Sequence, residues 1–344
     1  MHFWPEFSYV HGIRVDYLSP ILYLLDILIA LWILFSLRHP ALGSPISSGT
    51  TKFLLSLFLA SLIWNIFAAK STGAHVFGII KLGEFGLFGW LVARIFTKDY
   101  IRPFILTLAA SGVISSSLAI WQFLKQSSIG GLWYFLGERS FNISTIGIST
   151  VNLDQQILRP YGAFPHPNVL AFFLLVTTVF TVFRLSYERN SAVKFFLAAG
   201  VLLSTVSLFL TFSRIIILLA ICLFFYAIYT KGKRNVLYIA PIFVIVFVLV
   251  NYFILDFLTS QFLFRGIDFR QELLFQSLNI ISQSPYFGIG FNNFFLHQVD
   301  LVKNISPILF QPPHNIFVLA LLQFGLFGWW IFPAIFFFAI RSLI

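Results

Sequence analysis

The feature that most limits what this chain can become is a succession of apolar runs, each about as long as a bilayer is thick. A helix crosses the hydrocarbon with roughly 20 apolar residues. Runs of that kind occupy 18–37, 52–69, 74–96, 103–123, 167–184, 193–211, 214–230 and 236–256, and an interrupted one occupies 313–340. A segment inside lipid has no water to satisfy its N–H and C=O groups, so these runs have to become helices. Composition agrees: 59% of the 344 residues are hydrophobic and 10% are charged, where a soluble domain carries about 25% charged residues. The expected fold is an all-α polytopic membrane protein of about nine transmembrane helices in a single integral domain, 1–344. Two connections are long, 124–166 and 257–312. The others are short.

The charges give the chain an orientation. With 257–312 placed outside the cytoplasm and the sides alternated, the cytoplasmic ends collect twelve Lys and Arg against Asp99 and Glu188. The remaining loops are nearly balanced, so the formal charge of +10 is a positive-inside signal. Nucleic acid is not needed to explain it. Both long connections are then extracytoplasmic. The opening residues, MHFWPEFSYVHGIRVDYLSP, lack the pattern of a cleavable signal and read as an outer interfacial loop, which leads us to expect a further helix ahead of them. Cys222 is the sole cysteine, which excludes an intramolecular disulfide and a cysteine-based metal site.

Ionisable groups inside apolar runs are costly and call for a reason. Lys81 and Glu84 stand at i,i+3 on one helix face, either as a mutually neutralised pair or as a proton or substrate site. Asp26 reads as a lone carboxylate serving as a packing acceptor.

Against the positive-inside trend, Arg159, Arg214, Arg265, Arg270 and Lys303 gather with His166 and His314 near the outer ends of helices. Snorkelling explains one or two such residues. A set of them points to an anionic ligand, because a guanidinium grips phosphate with two parallel bonds. In a membrane the natural anion is a lipid phosphate or diphosphate. Arg214, in TFSR between two apolar runs, sits at a bilayer boundary. In RPYGAFPHPN, residues 159–168, Pro167 suits the first turn of a helix and leaves His166 and Asn168 at its start. As a lone motif this is simply a helix start.

The stretch from Arg270 to Gly328 is the least like a span. Residues 268–283 alternate an apolar stripe (269, 273, 274, 278, 281) with a polar one (272, 276, 279, 283), which predicts an amphipathic helix along the outer surface. SPYFGIGFNNF follows with turns at Gly288 and Gly290 and with Asn293. PPHN then sets His314 and Asn315 ahead of the last run, which Gly325 and Gly328 interrupt. His314 is either a helix cap or, with a pKa near neutrality, a general base for a hydroxyl. No HExxH, P-loop, Cys/His cluster or paired acidic motif appears. The expected chemistry is therefore independent of metal and cofactor and uses an activated substrate.

Arg270 with the following SLNIISQSPYFGIG, the HN pair at His314 and the GLFG at Gly325 together resemble the signature of the O-antigen ligase and O-antigen polymerase superfamily. TFSR and GAFPHPN resemble two further landmarks of that family, in the right order, over roughly 155–340. Leu274 and Phe275 stand where the family often has Trp. The resemblance implies a GT-C-like membrane fold in the bacterial cytoplasmic (inner) membrane with its site on the extracytoplasmic side. It implies inverting, metal-independent transfer from a polyprenyl diphosphate-linked glycan to a glycan or glycolipid hydroxyl. Carried over by motif position, Arg214 and Arg270 bind the diphosphate, and His314 activates the acceptor or orients the diphosphate. Arg159, His166, Asn168, Asn293, Asn315 and Arg265 are the expected substrate-binding residues. Ligase and polymerase share this pattern. A flippase of polyprenyl-linked sugars is the reading from a different class, which paired repeats and a transbilayer polar path would favour.

Overall fold

The computed structural model describes residues 3–10, 12–15, 18–20, 22, 24–37, 49–145, 148–152, 155–231, 262–301, 311–331 and 333–334. The expected span at 236–256, Lys303, and the parts of 257–312 and 313–340 not in those ranges lie outside them. The chain divides into two compact units, Met1–Phe96 with Phe262–Ile344, and Thr97–Gln261. Both are predominantly helical.

In the first unit, a 3-10 turn (Glu6–Ser8) leads to a two-stranded hairpin, β1 (Tyr9–Val10) and β2 (Ile13–Arg14). Helices α1 (Leu24–Leu37), α2 (Gly49–Ala68) and α3 (Thr72–Ile95) follow. The unit is completed from the far end of the sequence by three more helices, Phe262–Gln283, Phe294–Leu301 and Ile316–Trp329, labelled α9, α10 and α11 because α4–α8 precede them in the chain. The first apolar run, expected from residue 18, becomes helix only at Leu24. Leu18 and Ser19 are instead buried, and Leu18 joins Val10 and Val15 in a cluster with Ala74, Ile280, Phe294 and Leu322. Thus the expected interfacial loop is a packed lid on α3, α9 and α11 within this unit.

Polar side chains bind these elements together. Asn65 of α2 donates to Gln323 O at 2.8 Å. His75 of α3, wholly buried, faces Leu62 O through Nε2 (3.0 Å) and the Phe291 N–H through Nδ1 (2.9 Å). A carbonyl only accepts and an amide N–H only donates, so the proton is on Nε2. Asp26, expected to be alone, is 2.8 Å from Lys81, which also holds Glu84 at 3.0 Å. The correction has a simple cause: α1 packs on α3, and a buried carboxylate needs a counter-charge.

The second unit begins with a 3-10 turn (Lys98–Tyr100), then α4 (Ile101–Lys125), a short α5 (Leu132–Phe135), and a hairpin of β3 (Thr150–Asn152) and β4 (Gln156–Leu158). Helices α6 (Pro167–Leu185), α7 (Ser191–Leu210) and α8 (Arg214–Lys231) follow. Helices α4, α6 and α7 pack on one another through small residues, as lipid-embedded helices do. A Cβ on Gly112 would lie 2.4 Å from Thr177 Cγ2, and Ser207 donates to Ser116 O at 3.0 Å. The turn between α6 and α7 closes on Glu188. The N–H of Asn190 and the Arg184 guanidinium hold its carboxylate down at a pKa of about 2.

Among the described residues, four helices are long and apolar enough to cross a membrane: Thr72–Ala93, Lys98–Lys125, Pro167–Leu185 and Ser191–Leu210. Shorter apolar helices occur at Leu25–Ser36, Phe58–Ala68, Arg214–Leu223 and Ile316–Trp329.

The candidate functional site

In the first unit, the sequence places Arg270 on α9 and His314 immediately before α11. The two prolines ahead of His314 cannot continue a helix backwards, and Asn315 caps the next one. Its Oδ1 accepts from Phe317 N (3.0 Å) and Val318 N (3.3 Å), satisfying donors that a helix start leaves open. Asn315 thus has its side-chain oxygen on the helix, and His314 is the neighbour left to face outward. His314 is exposed, yet the protein around its ring withdraws enough water to lower its pKa. The positive charge of Arg270 lowers it further. Both effects favour the neutral imidazole, the form that takes a proton.

Helix α9 runs from Phe262 to Gln283, longer than the expected 268–283. Its inward face also differs from the expected stripe. Leu273, Gln276, Ser277 and Ile280 are buried, whereas Leu274, Phe275 and Leu278 are exposed. A buried glutamine is tolerated because it is bonded: Gln276 donates to Glu272 Oε1 (3.0 Å) and accepts from Gln298 of α10 (3.0 Å). Arg265 lies in the first turn of this helix.

After α9 the chain turns at Gly288 (φ 71°) and meets a break in α11 at Gly325, whose φ of 62° and ψ of −174° lie in a region open only to glycine. The two backbones touch there. Ile289 N donates to Leu322 O, Leu326 N to Pro285 O and Phe327 N to Tyr286 O, at 2.9–3.0 Å. The broken helix therefore finds its partners in the turn. Asn293, expected at the substrate, is wholly buried. It accepts from Ser71 N (2.8 Å) and donates to Ser71 O and Phe291 O.

The second unit gathers the other expected residues. His166 caps α6: its Nδ1 accepts from Asn168 N at 3.1 Å, so Nε2 carries the proton, 3.2 Å from Ser149 Oγ. Arg159 reaches Thr211 O with Nε (2.6 Å) and Asn168 Oδ1 with Nη2 (2.7 Å). It thereby joins the start of α6 to the end of α7. Thr211 opens the TFSR turn, where Phe212 takes a left-handed φ of 51°. That conformation is uncommon for a bulky side chain and brings Arg214 to the first position of α8. Burial pushes Arg159 down to about 10, and the like charge of Arg214 works in the same direction. Two guanidiniums in mutual repulsion are a setting that an anion relieves.

Sequence reasoning missed Gln122, which is wholly buried near the end of α4. Its Oε1 accepts from Tyr161 N (3.0 Å) and Gly162 N (2.7 Å). Its Nε2 donates to Glu138 Oε1 (2.8 Å) and Gly162 O (3.0 Å). One side chain therefore fixes the RPYGAFPHPN loop. The signal was available as an amide within an apolar run.

Neither a curated protein nor a solved structure matches the chain. Residues 199–332 match the family model described as O-Antigen ligase, a segment that begins in α7 and holds Arg214, Arg270, His314 and Asn315. Motif spacing and apolar helices agree with this match, and over that segment the chain is similar to the O-antigen ligase family.

Proposed function

We propose that this protein transfers a glycan from a polyprenyl diphosphate carrier to a hydroxyl of a glycolipid or glycan acceptor. On this reading it acts at the outer face of the cytoplasmic membrane, with inversion and without a metal. The observation that carries the reading is His314, ahead of α11 inside the segment that matches the ligase family, where burial and the charge of Arg270 favour the neutral imidazole. The imidazole takes the proton of the acceptor hydroxyl. The hydroxyl oxygen bonds to the anomeric carbon as the bond from that carbon to the phosphate oxygen breaks, and the electron pair leaves with the diphosphate. Fixed positive charge favours a step in which negative charge grows on the leaving group. Arg270 is the residue assigned to that task.

The test is transfer by the purified chain in vesicles containing polyprenyl diphosphate glycan and a candidate acceptor. His314→Ala and Arg270→Ala should each cut transfer at least about a hundredfold while leaving expression and the unfolding midpoint intact. Wild-type rates in both variants would overturn the assignment. Movement of unaltered carrier across the bilayer, with no transfer, would favour a flippase instead.

A further inference from the structure

Just past the end of α4 the chain makes a tight knuckle of exposed apolar residues. Leu132 is 73% exposed, Phe135 83%, and Tyr134 and Leu136 59% each. Leaving such side chains in water rather than burying them is unfavourable, so an outward-facing group of them needs a cover.

The knuckle is held rigidly. Glu138, itself buried, accepts from Ile129 N and Gly130 N at 2.7 Å each and from Gln122 Nε2. Gly130, Gly131 and Gly137 supply three positive-φ corners. Leu136 N and Glu138 N close the turn on Trp133 O (3.1 and 2.9 Å).

Its depth follows from α4. Gln122 is one turn short of the end of a helix that starts at Ile101. At about 1.5 Å per residue, the axial distance from Ile101 to Gln122 is roughly 30 Å, close to the thickness of the bilayer hydrocarbon. Glu138 is bonded to Gln122, so the knuckle is fastened at the level where hydrocarbon gives way to headgroups. Trp121 and Leu124, on the same last turns, are also exposed, and Lys125 sits at the end. Apolar side chains mixed with Trp and Tyr, beside a lysine, are the residue set of the lipid interface.

The geometry points to an anchor: residues 132–136 dip into the lipid interface at this end of α4, and their occupant is phospholipid. The anchor pins the loop that carries Arg159, His166 and Asn168 against the bilayer surface. It does not depend on the transfer reaction proposed above.

The experiment uses the full chain with Cys222→Ala and Phe135→Cys, labelled with an environment-sensitive fluorophore in phosphatidylethanolamine–phosphatidylglycerol vesicles. Position 135 is the most exposed of the group, so the label leaves packing undisturbed, and the unfolding midpoint checks this. The expected result is blue-shifted emission, several-fold stronger quenching by lipid with a doxyl group near the glycerol than by aqueous iodide, and weaker quenching by a doxyl group deep in the chain. A label at Ser144→Cys, in a polar turn of the same loop, should respond to iodide. Iodide quenching at 135 without lipid quenching would overturn the anchor. Protection from both quenchers would do so too, because it would mean that protein covers the knuckle.

Discussion

Gly325→Ala isolates the junction between the break in α11 and the turn after α9. A Cβ there would lie 2.3 Å from Tyr286 O and 2.4 Å from Gly288 N, which are backbone atoms on a segment that cannot swing aside. The φ of 62° and ψ of −174° cost a non-glycine residue about 1–3 kcal/mol. Relieving the contact separates the turn from the break and sacrifices the bonds from Leu326 N and Phe327 N, worth about 1 kcal/mol each. The total is about 4 kcal/mol, or a fall of about 5 °C in the unfolding midpoint of a chain this long. Intrinsic tryptophan fluorescence of the detergent-solubilised protein reports the transition. Gly86→Ala is the control, since a Cβ there meets nothing within 4 Å and alanine suits a helix better by up to about 1 kcal/mol. A Gly325→Ala variant that melts no lower than Gly86→Ala would refute the argument.

Three further outcomes are expected. If His314 acts as a neutral base, transfer falls as pH drops through its pKa, which burial and Arg270 hold below the ordinary 6.5; Arg270→Gln should move this acid limb of the residual rate upward, Arg270→Lys should not, and an unmoved limb in Arg270→Gln contradicts the coupling. Lys81→Met leaves Asp26 and Glu84 without their cation and should destabilise the fold by about 3–5 kcal/mol, a loss that replacing both carboxylates with leucine partly reverses in the same unfolding measurement. Gln122→Ala strips partners from Tyr161 N, Gly162 N and Glu138, at about 1–3 kcal/mol for each buried group left unpaired; limited proteolysis should then cut within 126–162, and an uncut loop argues against its anchoring role.

Much of the helical layout was legible because lipid imposes one rule on every apolar run, and one start was plain: Pro167 stands in the first turn of α6. The motif readings at His314 and at TFSR also led to residues that the fold places at helix starts. What could not be read was pairing across the sequence. Asp26 looked solitary because Lys81 is 55 positions away, and only the packing of α1 on α3 joins them. Gln276 fell on the polar stripe of α9, since periodicity records polarity and cannot see Gln298 arriving to bond it. The bonds of the Asn293 amide to Ser71 and Phe291 were equally out of sight. A hairpin as short as Tyr9–Arg14 leaves too few residues for any period to show.

The break at Gly325 has a mechanical side. Asn315 stands ten residues before it, about 15 Å along the helix axis, so the first part of α11 is a lever with its fulcrum at the glycine and His314 at its tip. A tilt of about 5° at the fulcrum displaces the tip by more than 1 Å, a distance that costs enzymes about a hundredfold in rate. On the reading proposed here, the three backbone bonds at the fulcrum govern where the imidazole points, and a substitution there would read out at the far end of the lever.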